Sequence, residues 1–200
     1  MFLRKRRIKY TTINTVPVIS FPDQEAPFAG AAIKNGEPLI IRNSIINKWR
    51  ARKLWSPQYL RSKLERLDGV YENNNPWFGP YYDTRKPLLP YVKRLNPYKT
   101  NVSLSGQEFF RRLENPSPGG YHYLTSDIDQ LGEWAFGDVE PIDELFSPNL
   151  SRSSINVWIE QPNVIAHTHY DGYHNFYAQL HRTKKFTLLR PTQWPAWLVS

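Results

Sequence analysis

The segment that most constrains how this 200-residue chain can fold is residues 164–187, VIAHTHYDGYHNFYAQLHRTKKFT. It contains four of the chain's five histidines, and His169 and Asp171 stand two positions apart in it. Side chains two apart on a β-strand point to the same face, so this imidazole and this carboxylate would lie side by side. They are two of the three ligands of the facial triad that binds non-haem iron and leaves positions open. On residues 169–171 alone, two interpretations stay open: a metal half-site whose third ligand, a second histidine, comes from elsewhere in the fold, and a surface pair that binds no metal, which is the commoner case.

The residues after this pair predict a β-hairpin. Residues 175–180 (NFYAQL) have the bulky side chains of a strand, and residues 181–183 form a short polar turn. Lys184 and Lys185 then open a second strand over residues 186–189, which stops before a proline. The order along the chain is therefore metal pair, strand, turn, lysine and strand.

The sequences THYDGYHNFYAQL and KKF, in this order, resemble the JmjC/cupin-like family of Fe(II)- and 2-oxoglutarate-dependent oxygenases. Within that family they are similar to the branch that contains the asparaginyl hydroxylase inhibiting hypoxia-inducible factor. The resemblance reaches back to about residue 36 through PLIIRN at 38–43 and WSPQYL at 55–60. It implies a mainly β fold with flanking helices around a double-stranded β-helix, the jelly-roll or cupin core of about eight strands.

The resemblance also implies a domain organisation. Residues 1–14 are expected to form a basic flexible arm, and residues 15–200 a JmjC/cupin-like domain. Only the first half of the core is expected within this domain, because the pattern predicts about four strands after Ser154. The domain would then be truncated before its last core strands.

Five site residues follow from the resemblance. It implies that His169 and Asp171 bind Fe(II), and that Lys184 and Tyr123 bind the distal carboxylate of the cosubstrate 2-oxoglutarate. It also implies that Asn175 places an amide near that cosubstrate, and it assigns no catalytic residue beyond the metal site. Taken singly, Tyr123 also fits a core position, Asn175 a turn cap and Lys184 a solvated hairpin.

Two departures from the family pattern affect the site. The family takes its third iron ligand from a histidine on a later strand, whereas the last histidine here is His181, in the predicted turn. His167 and His174 are poorly spaced to replace it, since a straight strand separates His167 from Asp171 by about 13 Å. Arg182 stands where the family usually has a glycine, which suits a left-handed backbone better.

The charge and composition exclude some classes of protein. Lys and Arg number 26 against 18 Asp and Glu, a net charge of +8, and part of the excess is the run from Arg4 to Lys9. This run fits a nuclear address, a contact for RNA or acidic lipid, or a solvated arm. The absence of cysteine excludes disulfides and thiolate zinc sites. No long apolar run predicts a membrane span, and we expect a cytoplasmic or nuclear protein.

The leading hypothesis is a JmjC-type oxygenase that hydroxylates a protein side chain and is inactive or weak as a 200-residue chain. N-methyl-lysine and an RNA base are the next substrate classes. Two hypotheses of other classes stay open: a non-catalytic cupin-like module that binds a partner protein, and a nucleic-acid-binding protein that uses the basic arm. The sequence identifies neither the substrate nor an oligomeric state.

The rest of the chain predicts short elements. Strands are expected at residues 16–21, on a sheet edge because of Pro17, and at residues 38–42, where the apolar run indicates burial. A helix capped by Ser56 should run to Asp68, with leucines 60, 64 and 67 on its inner face. A second helix should follow the capping box of Ser105 and Glu108, and strands should occupy residues 121–124 and 154–160.

Overall fold

The structure is a computed structural model that describes residues 16–20, 35–78, 99–140, 154–166, 169 and 171–189. The predicted basic arm, residues 1–14, lies outside the described residues. The chain divides into two compact units. One comprises residues 1–44 with 182–200, and the other comprises residues 45–181.

The smaller unit contains a two-stranded parallel sheet. Strand β1 (Val18–Ser20) pairs with β2 (Ile40–Arg42), and the side chain of Asn43 donates a hydrogen bond to Ser20 Oγ at 2.9 Å. Both predicted strands are therefore confirmed. The predicted burial of the second is wrong, because Ile40 and Arg42 are exposed and two strands of three residues cover little surface.

The larger unit begins with helical turns. A 3₁₀ turn (Ile45–Lys48) leads into α1 (Ala51–Leu54) and α2 (Pro57–Lys63). Ser56 caps α2 as predicted, because its hydroxyl accepts from the backbone N–H of Tyr59 at 3.2 Å. The predicted end of this helix is wrong. It stops at Lys63. Leu67, the last of the three leucines, is buried as the first residue of the strand that follows.

A four-stranded antiparallel sheet forms the centre of this unit, in the order β5–β3–β6–β7. Its strands are β3 (Leu67–Asn73), β5 (Lys99–Leu104), β6 (Tyr121–Asp127) and β7 (Asn156–Glu160). Burial alternates along β6, since every second side chain packs into the core. Side chains of the two helices before β3 also contribute to the core, as does the aromatic face of α3 (Gly106–Glu114).

Gly69 lies in β3, next to the position where the sequence predicts the end of the helix. A Cβ on Gly69 would lie 2.0 Å from the carbonyl oxygen of Thr125 on β6, so only glycine allows this approach of the two strands. The register between β3 and β5 also shifts between Leu67 and Val70. Gly69 therefore marks a strand irregularity, where the sequence suggests a helix terminus.

The second predicted helix is confirmed as α3. The hydroxyl of Ser105 accepts from the backbone N–H of Glu108 at 3.2 Å, which is one half of the predicted capping box. The carboxylate of Glu108 pairs with Arg111 and Arg112. After β6 come a 3₁₀ turn (Ile128–Leu131) and α4 (Glu133–Asp138).

A short parallel pair joins two distant parts of the larger unit: β4 (Trp77–Phe78) and β8 (Ile165–Ala166). Residues 79–98, which follow β4, lie outside the described residues.

The predicted strands at 175–180 and 186–189 are wrong, since residues 171–189 contain neither helix nor strand. A strand needs a ladder partner, and no strand in the described ranges pairs with this segment. The prediction of a mainly β fold with flanking helices is confirmed.

Candidate metal centre

The histidine–carboxylate pair lies just after β8. The chain leaves β7, turns at Asn163 with φ at 68°, and pairs β8 with β4 before it reaches His169. The left-handed backbone at Asn163 suits asparagine, one of the few residues besides glycine that visits it readily. The backbone N–H of Ile165 also donates to the carbonyl of Pro76 at 2.8 Å. The start of the candidate metal segment is therefore held by backbone hydrogen bonds.

His169 and Asp171 are close enough to share a cation. The imidazole Nε2 lies 4.0 Å from Asp171 Oδ1, and the side chains are 48% and 56% exposed. Donor atoms in neighbouring positions on an ion with bonds of about 2.1 Å lie about 3.0 Å apart, so these two exposed side chains would move about 1 Å closer together to bind one ion side by side. A neutral imidazole and a carboxylate are also the ligand types that Fe(II) takes in facial-triad sites. The two side chains therefore supply the ligand types of two facial-triad positions and lie near each other.

Asn175 contacts the other oxygen of the same carboxylate. Its side-chain Nδ2 donates to Asp171 Oδ2 at 2.6 Å, across four residues that form no helix. The two oxygens of Asp171 thus have different neighbours, the imidazole on one side and the amide on the other. The structure therefore brings together three of the five predicted site residues: His169, Asp171 and Asn175.

Tyr123 belongs to a second group, on the half-buried face of the sheet. Across the strands it lies between Tyr71 on β3 and Glu160 on β7, and its ring centroid is 5.5 Å from that of Phe78. Burial raises the pKa of Tyr123 well above its ordinary value, and the charges of Glu160, Tyr177 and Tyr71 raise it further. The hydroxyl is therefore a neutral hydrogen-bond donor at any physiological pH.

The residues after Asp171 contact this same face through an aromatic stack. The rings of Trp158 and Tyr177 are 5.8 Å apart at an interplanar angle of 23°, and both residues are about 40% exposed. Burial, and then the charge of Glu160, raise the pKa of Tyr177 as well. Sequence reasoning missed Trp158 and Glu160. The alternation it found along residues 154–160 could have identified them, because it leaves both on the face opposite the buried positions.

Lys184 lies in the smaller unit, where it is half-buried. Arg182, two positions before it, has a φ of 61°. This is the left-handed backbone expected at a position where glycine is usual, and here an arginine adopts it. The position of Lys184 as a cosubstrate ligand stays a prediction.

The described residues contain no group of three His, Asp or Glu side chains that could hold a metal ion. His174 and His181 are exposed and join no such group, while His167 lies outside the described residues. The remaining histidine, His122, is buried in a structural role. Its backbone N–H and its Nδ1 lie 2.7 and 3.0 Å from Oε1 of Gln161.

The fold and the pair together define a mainly antiparallel β domain that carries two adjacent candidate metal ligands. Comparison with known proteins gives its family. The model of the cupin-like domain family matches residues 25–198, and the chain belongs to that family. Among the helices of the described ranges, none has the length and apolar character needed to cross a bilayer.

Three curated relatives are each 25% identical to the chain. JmjC domain-containing protein E of Dictyostelium discoideum aligns over 82% of this chain and 49% of its own length. Lysine-specific demethylase JMJ32 of Arabidopsis thaliana aligns over 94% and 54%, and JmjC domain-containing protein 4 of Schizosaccharomyces pombe over 88% and 39%. The chain thus spans about half the length of these relatives.

These matches confirm the predicted JmjC/cupin-like family. They do not single out the asparaginyl hydroxylase branch within it. Members of the JmjC family generally depend on Fe(II) and 2-oxoglutarate. The ligand types of His169 and Asp171 are those that such a dependence requires.

Proposed function

We propose that this chain is an Fe(II)- and 2-oxoglutarate-dependent oxygenase of the JmjC type that hydroxylates a protein side chain. The observation that carries the proposal is the approach of His169 to Asp171, at 4.0 Å, in a chain of the cupin-like family. N-methyl-lysine is the alternative substrate class. It is favoured by one relative, the Arabidopsis protein named as a lysine-specific demethylase.

In this proposal the metal ligands are His169 and Asp171. Bound iron, with 2-oxoglutarate and oxygen, supplies the oxidising power to place an oxygen atom in a C–H bond, with succinate and carbon dioxide as coproducts. Tyr123 donates a hydrogen bond to the distal carboxylate of the cosubstrate, and Lys184 supplies the opposing positive charge. The raised pKa of Tyr123 supports its part, because a protonated hydroxyl can donate to an anion.

Glu160 bears on the same proposal. Its negative charge acts on the hydroxyl of Tyr123, as the raised pKa of that tyrosine indicates. An anionic cosubstrate bound to Tyr123 would lie near this negative charge, which weakens its binding. In the proposal the positive charge comes from Lys184, which the family pattern alone assigns to the cosubstrate.

Turnover by these 200 residues is expected to be weak. Two ligands hold a divalent ion less tightly than three, and the described residues include no third ligand. In the proposal the domain of residues 15–200 binds the protein substrate. Residues 1–14 form a separate basic arm. We expect a cytoplasmic or nuclear site of action.

The test is iron-dependent conversion of 2-oxoglutarate to succinate by the purified chain, followed by NMR without added protein substrate. We expect slow succinate formation that stops when iron is left out. It should be lost in His169→Ala and Asp171→Ala, and retained in His174→Ala, an exposed histidine of the same segment. Equal turnover in wild type and His169→Ala would refute the metal assignment.

Complete absence of turnover, with no binding of Mn(II) or 2-oxoglutarate, would instead favour the non-catalytic module that binds a partner protein. Nucleic-acid binding that weakens steeply with salt, and is lost when residues 1–9 are deleted, would favour the third hypothesis.

A further inference from the structure

The carboxylate of Asp171 has two oxygens in different surroundings. Oδ1 faces the imidazole of His169 at 4.0 Å, while Oδ2 accepts a hydrogen bond from Asn175 at 2.6 Å. This hydrogen bond joins an amide N–H to a carboxylate, so it is charge-assisted. The amide thus distinguishes the two oxygens before any metal is present.

We propose that Asn175 is a positioning residue for Asp171. By engaging Oδ2, it presents Oδ1 beside His169, so that the carboxylate meets the metal through one defined oxygen. This inference rests on the proposed function, and it changes the role of Asn175 from a cosubstrate contact to a support for a metal ligand.

The surroundings of Asp171 show why such a support is needed. The side chain is 56% exposed, and the described residues that follow it, up to 189, form neither helix nor strand. Gly172 follows directly, and a Cβ built on it would meet no atom within 4 Å. Among the described residues, the restraint that the structure shows on the side chain of Asp171 is this hydrogen bond from Asn175.

Hydrogen-bonded partners of metal ligands typically change metal affinity by about 10- to 100-fold. Because the Asn175 contact is exposed to solvent, we expect an effect at the lower end, about 10-fold. Contact with the cosubstrate predicts a different outcome: metal affinity would stay the same, and only 2-oxoglutarate affinity would fall.

The experiment measures Mn(II) binding to the full chain by water-proton relaxation, in the absence of 2-oxoglutarate. Asn175→Ala should raise the Mn(II) dissociation constant about 10-fold, while His174→Ala leaves it unchanged. Both variants should unfold at the wild-type temperature, because both side chains are exposed. Unchanged Mn(II) affinity in Asn175→Ala, with weaker 2-oxoglutarate binding at saturating Mn(II), would overturn the inference.

A second measurement needs no metal. The side-chain amide resonances of Asn175 should move in ¹H–¹⁵N spectra of Asp171→Ala and stay in place in His174→Ala. If Asp171→Ala leaves them unmoved, the contact is absent and the inference fails, whatever the metal data show. If instead wild type binds no Mn(II) although the resonances do move, the proposed function fails while the contact stands.

Discussion

The buried carboxylate of Asp138 allows a stability prediction worked from contacts. Its side chain is 3% exposed, and one oxygen, Oδ2, accepts from both Trp55 Nε1 at 3.0 Å and the Tyr59 hydroxyl at 3.1 Å. The guanidinium of Arg50 lies 3.6 Å from the other oxygen. Burial and the Asp138 carboxylate both raise the pKa of Tyr59, so its hydroxyl stays a donor. Asp138 therefore ties the end of α4 to α1 and α2.

The expected cost of Asp138→Ala follows from the groups left behind. The indole N–H of Trp55 is buried and would lose its acceptor, at about 1–3 kcal/mol. Tyr59 is half-buried, and its hydroxyl can turn to water, so its loss is nearer about 1 kcal/mol. Arg50 is 71% exposed and adds little. Together the free energy of unfolding should fall by about 2–4 kcal/mol.

Asp138→Asn is the matched control. Both hydrogen bonds converge on one oxygen, so an amide oxygen in that position can keep them and lose only the charge. We expect a loss of about 1 kcal/mol, clearly less than for alanine. The assay is urea unfolding followed by circular dichroism. An alanine variant within about 0.5 kcal/mol of wild type, or an asparagine variant as damaging as alanine, would refute the reasoning.

Three further predictions concern other contacts. Gln161→Leu removes the acceptor of two N–H groups of buried His122, and should lower the free energy of unfolding by about 2–4 kcal/mol in urea; a smaller loss than in a surface Gln→Leu control would contradict this. Hydrogen bonds from two arginines of α3 lower the pKa of Glu108 from 4.5 to about 2. Its stabilisation is therefore fully present above about pH 4.5 and lost as pH falls through about 2, so the melting temperatures of wild type and Glu108→Gln should converge over that range; a constant difference would disprove it. Glu160→Gln should lower the pKa of Tyr123, seen as earlier titration of its ring ¹³C resonance, and an unchanged titration would rule out the charge effect.

The helix starts and the strand alternation could be predicted because both depend on neighbouring residues. Ser56 and Ser105 each cap a helix through a backbone N–H three positions along the chain. Along β7 exposed and half-buried residues alternate from Asn156 to Ile159. Local spacing is sufficient to specify features of this kind.

The end of α2 could not be predicted, because a distant strand decides it. Leucines at 60, 64 and 67 fit one face of a continuous helix. In the structure, however, β3 takes in Leu67 and pairs with β5 and β6, and Gly69 allows the close approach of the Thr125 carbonyl. That contact joins residues 56 positions apart, and nothing near Gly69 in the sequence indicates it.

Within the candidate site, too, local spacing predicts some contacts, while others depend on the path of the folded chain. The closeness of His169 and Asp171 follows from their spacing of two, and the structure has them 4.0 Å apart. The contacts of Asn175 and Tyr177 depend instead on the path of a segment without regular structure. The family pattern assigned an amide to this neighbourhood, but not the atom that the amide would contact.

The site and the framework are stabilised by different interactions, and this makes them separable. Gln161, just before the turn into the metal segment, is fixed by buried hydrogen bonds to His122, so its replacement should disturb both the sheet and the ligands that follow. Asp171 and Asn175 are exposed, and their bond contributes little to folding. A loss of metal affinity without a loss of stability therefore identifies a residue that acts on the site directly. A loss of both indicates one that acts through the fold.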